Sequence, residues 1–211
     1  MRSHPSVRAE ETASLRDALS LAAIAFDRPT GELAGGLADR SYTDDLAACL
    51  HELRLPDLAD RPTQVLTGYA GRDPEELRQE LAVEHFRLFV GTRHPVVSPY
   101  ESIHRQRASG QPLTVMITGA AADVEQIYAE HGVAMARNEP PDHIAAMLWF
   151  VIRLLDADSD AADATVATFG ERHLSGWLGD FCDEVSAKAT ISFYQLAAEL
   201  LPPLARVVRS R

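Results

Sequence analysis

Two acid–histidine juxtapositions are the places where this sequence could do chemistry. Asp142-His143 stand side by side after Pro140-Pro141, and Glu101-Ser102-Ile103-His104 sets a carboxylate and an imidazole three residues apart. Adjacent Asp and His can serve as an acid–base pair or as two metal ligands. Local structure gives the first pair another reading: Asn138 or Glu139 caps a helix, the prolines occupy its first turn, and acids favour its positive end. His143 fits that reading less well, since a histidine gains little there. The E-x-x-H spacing is that of di-iron bundles, but those need two such pairs and two further glutamates, and no second E-x-x-H occurs. The 8 histidines form no H-E-x-x-H and no H-x-x-x-H. Ser98 and Ser102 lie in no G-x-S-x-G elbow, so they read as turn formers. No catalytic residue and no metal ligand is assigned. The enzyme class these residues leave open is a helical metal-dependent hydrolase using Asp142 and His143.

Charge closes other classes. With 31 acidic against 20 basic residues the net charge is −11, opposite to the basic stripe of a nucleic-acid binder. It suits a partner that brings positive charge, or simply a soluble surface. A single lysine, Lys188, occurs in the chain, which removes a phosphate-loop lysine and a Schiff base. Cys49 and Cys182 stand far apart, outside any C-x-x-C, and read as buried reduced thiols. The apolar run Leu21 to Phe26 is short and flanked by charge, unlike a signal peptide, and nothing reaches the length of a membrane span.

The elements that must position these residues are helical. Leu15, Ala18, Leu19, Ala22 and Phe26 share a face, as do Leu46, Ala47, Leu50 and Leu53, the second run stopping at Pro56. Asp73-Pro74-Glu75-Glu76 predicts a capped start for a helix carrying Leu77, Leu81, Glu84, Leu88 and Phe89 and ending near Gly91. From 91 to 112 Gly and Pro punctuate a loop with a short helical turn, of the kind that is often functional. Helical period resumes over Ala121, Val124, Ile127 and Tyr128 up to Gly132. Residues 142–201 contain no proline and predict three helices: Ile144 to Leu155, one through Phe169, His173, Leu174, Trp177 and Leu178, and one from Ile191 that stops at Pro202-Pro203. Trp177 beside His173 reads as a core indole, and Arg87 as a solvated head on a buried stem. The expectation is an all-α, single-domain bundle over 1–211, of roughly eight to ten helices.

Three segments, in this order, resemble the TorD-like family of redox-enzyme maturation chaperones, which includes the DmsD and NarJ types. Leu88-Phe89 matches an aromatic-x-x-Leu-Phe helix end, Gly91 through Ser102 a Gly-and-Pro loop, and Glu139-Pro140-Pro141-Asp142-His143 an E-P-x-D-H helix opening. Phe169, His173-Leu174, Trp177 and Phe193-Tyr194 continue the likeness. The first aromatic falls on His85, so either His85 is the ring or Phe86 substitutes for it. The resemblance implies a cytoplasmic chaperone without catalysis. Its partner would be a molybdoenzyme catalytic subunit, bound by its twin-arginine leader while molybdopterin guanine dinucleotide is inserted. That cofactor belongs to the client, and none is expected to be bound stably here. A leader has a cationic start and an apolar stretch, so its receptor needs an apolar groove edged by carboxylates. Leu88, Phe89, Tyr100, Ile103 and Trp177 would supply the apolar surface, and Glu101, Glu139 and Asp142 would meet the arginines. Gly91, Ser102, Pro140 and His143 complete the expected site. A monomer is expected, or a dimer that exchanges helices about a hinge in the 91–112 loop.

Overall fold

The apolar run after Asp142 folds as a central helix, Ile144–Leu155, with nine of its twelve residues buried. The computed structural model describes residues 5–110, 119–134, 140–157 and 159–211. In chain order the helices are α1 (Pro5–Phe26), α2 (Gly31–Ala38), α3 (Ser41–Glu52), α4 (Pro56–Ala59), α5 (Arg61–Leu66), α6 (Pro74–His85), α7 (Glu101–Ser109), α8 (Ala120–Glu130), α9 (Ile144–Leu155), α10 (Asp160–Phe169), α11 (Leu178–Lys188) and α12 (Ser192–Arg209). The all-α expectation holds: among the described residues ten of these twelve have eight residues or more, and α4 and α5 are short connecting pieces. None is long and apolar enough to cross a membrane.

α1 lies against α9, α3 and α12, and α11 packs along α12. The shared face of α1 (Leu15, Ala18, Leu19, Ala22, Phe26) is buried, as period 3.6 requires. α6 starts as its sequence dictates, with Pro74 in the first turn and the Asp73 carboxylate accepting from the Glu75 and Glu76 N–H groups at 3.0 and 2.9 Å. Its last stretch, Phe86–Val90, widens into a π-helical turn.

Two expectations fail. α12 does not stop at Pro202-Pro203 but runs through them to Arg209. Interior prolines cost a helix about 3 kcal/mol, and here Leu200, Leu201, Leu204, Ala205 and Val208 are all buried beyond or beside them. Tertiary packing outweighs propensity. The stretch from Phe169 to Leu178 is not one helix either: α10 ends at Phe169, a π-helical turn follows over Gly170–Leu174, and α11 begins at Leu178. Gly170 sits so close to α12 that a Cβ there would lie 2.9 Å from Val208, which brings this turn onto the last helix.

Candidate functional site

Gly91 makes the turn that carries the chain off α6. Its φ is +65°, and a Cβ would fall 2.2 Å from the His94 carbonyl oxygen, so only glycine fits. The loop is then pinned at several points. Val97 N–H donates to Leu88 O at 2.8 Å, and Lys188, the lone lysine, donates from Nζ to Val96 O at 3.2 Å. The Glu84 carboxylate holds Arg87 through two bonds of 2.7 and 2.8 Å and accepts the Thr190 N–H at 2.6 Å. Arg87 passes a further bond to Lys188 O. The Arg87 guanidinium lowers the Glu84 pKa to about 2.

The loop meets the Pro140–His143 segment in an isolated antiparallel bridge between Tyr100 and His143. Glu101 N–H donates to Asp142 O at 3.1 Å, and Ile144 N–H to Pro99 O at 2.9 Å. Capping is exchanged across this bridge. The Asp142 carboxylate accepts the Ser102 N–H at 2.7 Å, so it caps α7 rather than its own helix. His143 caps α9, its Nδ1 accepting the Ala145 N–H at 3.2 Å. The expectation that Asn138 or Glu139 caps a helix with prolines in its first turn is therefore corrected. The prolines precede α9, and Asn138 and Glu139 lie outside the described residues.

Beside the bridge opens a groove of about 500 Å³. It is lined by Phe26, His85, Phe89 and Val90, by Tyr100, Pro140 and His143 from the bridged segments, and by Tyr128, Ala146, Trp149, Phe150 and Arg153. Asp27 and Arg28 complete its rim, with Asp27 accepting the Trp149 indole N–H at 2.7 Å. His85 is the ring in the first motif. It packs 5.4 Å from Phe89, centroid to centroid, while Phe86 is turned outward, 46% exposed. Tyr100 stacks edge-on to His143 at 5.3 Å.

Burial keeps these imidazoles neutral. Desolvation pulls His143 down to about 4, and it lowers His85 and His104 as well. A neutral His143 is what its capping role demands, because protonated Nδ1 cannot accept. The histidine therefore neither orients Asp142 through a hydrogen bond nor shares a proton with it, and the hydrolase reading loses its acid–base pair. Among the described residues no three His, Cys, Asp or Glu side chains converge as a metal-holding group.

Of the site residues expected from sequence, Phe89, Tyr100, Pro140 and His143 line the groove. The other described ones are placed elsewhere. Leu88 and Trp177 are core residues; the Trp177 indole donates to His173 O at 2.6 Å and its ring packs 5.2 Å from His104. Glu101 is 0% exposed and is taken up by His173 Nδ1 at 3.0 Å and Arg105 at 2.6 Å. On the far side of the same imidazole lies Asp123, 3.4 Å from Nε2. Asp142 is 1% exposed. Glu101 and Asp142 thus cannot edge a groove for arginines; with Gly91 and the Ser102 backbone they hold Tyr100 and His143 in position. Glu139 lies outside the described residues.

Sequence reasoning missed the α9 part of the groove lining. Its signal was readable: Ala146, Trp149 and Arg153 recur at i, i+3 and i+7, the face of α9 that carries its one indole and its one guanidinium.

A family model described as nitrate reductase delta subunit matches residues 43–183, two thirds of the chain and all the segments around the groove except Phe26, Asp27 and Arg28. The chain belongs to the nitrate reductase delta subunit family. The TorD-like resemblance read from the motifs agrees with this assignment. Among curated relatives of this delta subunit family member, the chaperone protein TorD of Vibrio vulnificus strain YJ016 is 28% identical over 142 residues. TorD of strain CMCP6 of the same species matches equally. The match spans 61% of this chain and 62% of each relative, less than two thirds of their length. A crystal structure described as a redox enzyme maturation protein from Archaeoglobus fulgidus overlaps all of this chain and 94% of its own, at 21% identity and a TM-score of 0.49.

Proposed function

We propose that this delta subunit family member is a redox-enzyme maturation chaperone and not an enzyme. It binds the catalytic subunit of a molybdoenzyme and seats an apolar stretch of that subunit's twin-arginine leader in the aromatic groove. The client is held while its molybdopterin guanine dinucleotide is inserted, so the protein acts in the cytoplasm, before export. The cofactor is the client's cargo.

One observation carries this reading. Segments far apart in sequence, Phe89 with Val90 and Pro140 with His143, meet through the Tyr100–His143 bridge to line one open, aromatic-walled groove. Such a groove suits apolar side chains, and helix ends and a rigid bridge hold its walls before anything binds, which lowers the ordering cost of association. The acidic protein surface, at −11 overall, suits a cationic segment outside the groove.

The test is calorimetric titration with the leader of a molybdoenzyme catalytic subunit encoded beside this chain, against the same peptide with both arginines changed to lysine. Micromolar or tighter binding that weakens with the lysine peptide supports the chaperone reading. Failure to bind either the leader or the full-length client sinks it.

A further inference from the structure

The groove does not end at Val90. Glu76, Gln79, Val83, Phe86 and Val90 follow one another at spacings of three and four residues, so they form a single stripe along α6 and its π-helical turn. All five are exposed. Five large hydrophobic side chains are exposed among the described residues, and Val83 (71%), Phe86 (46%) and Val90 (46%) of this stripe are three of them. A fourth, Trp149 (39%), lines the same groove as Val90. Among the described residues, four of the five large exposed hydrophobics therefore lie on this stripe or in the groove it leads to, with Val96 the exception, and such clustering marks an interaction surface.

The track is charged oppositely at its two ends. At the start of α6, Glu75 is held by Arg78 and Glu80 by Arg72, whereas Glu76 has no cationic partner among the described residues. In the groove, Arg28 and Arg153 are among the lining residues, and neither has a carboxylate partner among the described residues. Against the one carboxylate in the lining, Asp27, which takes the Trp149 indole N–H, the two arginines leave the groove lining with a net charge of +1 when its histidines are neutral. From Glu76 to Val90 the stripe is about 21 Å long at 1.5 Å per residue.

Resting on the chaperone reading above, we propose that the client leader lies along this stripe in one direction: its arginine pair beside Glu76, its apolar stretch over Val83, Phe86 and Val90 and into the groove. A cationic start followed by an apolar stretch matches a carboxylate followed by an apolar stripe. The reverse direction would drive the arginines against Arg28 and Arg153. Charge complementarity of this kind sets orientation more than raw affinity.

The experiment measures binding of the twin-arginine leader peptide named above to the full chain and to two surface variants, Glu76→Arg and Val83→Asp. Both positions are exposed, and far-UV circular dichroism checks that the variants fold. Each is expected to weaken the leader by about five- to tenfold. A leader whose arginine pair is replaced by glutamates is expected to prefer Glu76→Arg over the unsubstituted protein. If the unsubstituted protein binds the leader and neither variant changes it, the stripe is overturned while the chaperone reading stands. If the unsubstituted protein binds no leader at all, the reading on which the stripe rests is overturned as well.

Discussion

The Asp142 carboxylate accepts the Ser102 backbone N–H at 2.7 Å, so a residue beside the start of α9 fixes the start of α7, forty positions earlier in the chain. Together with the Tyr100–His143 bridge this makes the bridged part of the groove one unit. Removing the carboxylate should cost about 1–2 kcal/mol, the usual worth of a helix cap. Asp142→Ala is expected to lower the urea midpoint accordingly, and Asp142→Asn, which keeps an acceptor oxygen, to lower it less. Equal losses for both would mean that the charge, not the cap, is what matters there.

Gly91 is the second fixed point. Gly91→Ala puts a methyl into the His94 carbonyl at a backbone φ of +65°, and a strained left-handed residue with a clash costs on the order of 1–3 kcal/mol. Thermal unfolding should show a clear drop, with the loop's amide protons exchanging faster.

Glu101 separates support from contact. Glu101 is fully buried and bonded to His173 and Arg105, and leaving a buried donor such as His173 Nδ1 unsatisfied costs about 1–3 kcal/mol, so Glu101→Ala should be clearly destabilising. Leader affinity, measured at a temperature where the variant is still folded, is expected to stay within about threefold. A large loss of affinity in a fully folded variant would return Glu101 to the binding surface.

Acid should loosen the fold through its histidines. A free imidazole titrates near 6.5, while folded His143 is pulled down to about 4, so between those values the unfolded chain takes up more protons than the folded one. Stability from this group is complete above pH ~6.5 and is lost as pH falls toward about 4. His85 and His104, lowered by burial too, act in the same sense. Urea titrations at pH 7, 5.5 and 4.5 should show a falling unfolding free energy, with a shallower fall in His143→Asn, which can still cap α9 through its side-chain oxygen.

Much of this was legible in the sequence. Asp73-Pro74 announced α6, and the proline-free apolar run announced α9, because caps and 3.6-residue periodicity are local properties. The end of α12 was misread because burial of Leu204, Ala205 and Val208 overrides what Pro202 and Pro203 prefer, and burial is not local. The groove was half visible for the same reason. Motif residues Phe89, Tyr100, Pro140 and His143 face it, but composition could not say that Glu101 turns inward to His173 or that Asp142 turns to Ser102. Those two carboxylates look identical in sequence to carboxylates waiting for an arginine. Only the fold reveals that both are buried, Glu101 against His173 and Arg105 and Asp142 with one oxygen on the Ser102 N–H.

The central claim is that the aromatic groove seats the leader. The most direct measurement is titration of the leader into a groove-filled variant, Ala146→Trp, beside Tyr100→Ala and the unsubstituted chain. Ala146 lines the groove, so an indole there occupies the space the leader needs. The account predicts at least a tenfold loss of affinity (~1.4 kcal/mol) in both variants with helicity unchanged. Undiminished binding to a folded Ala146→Trp protein would contradict it.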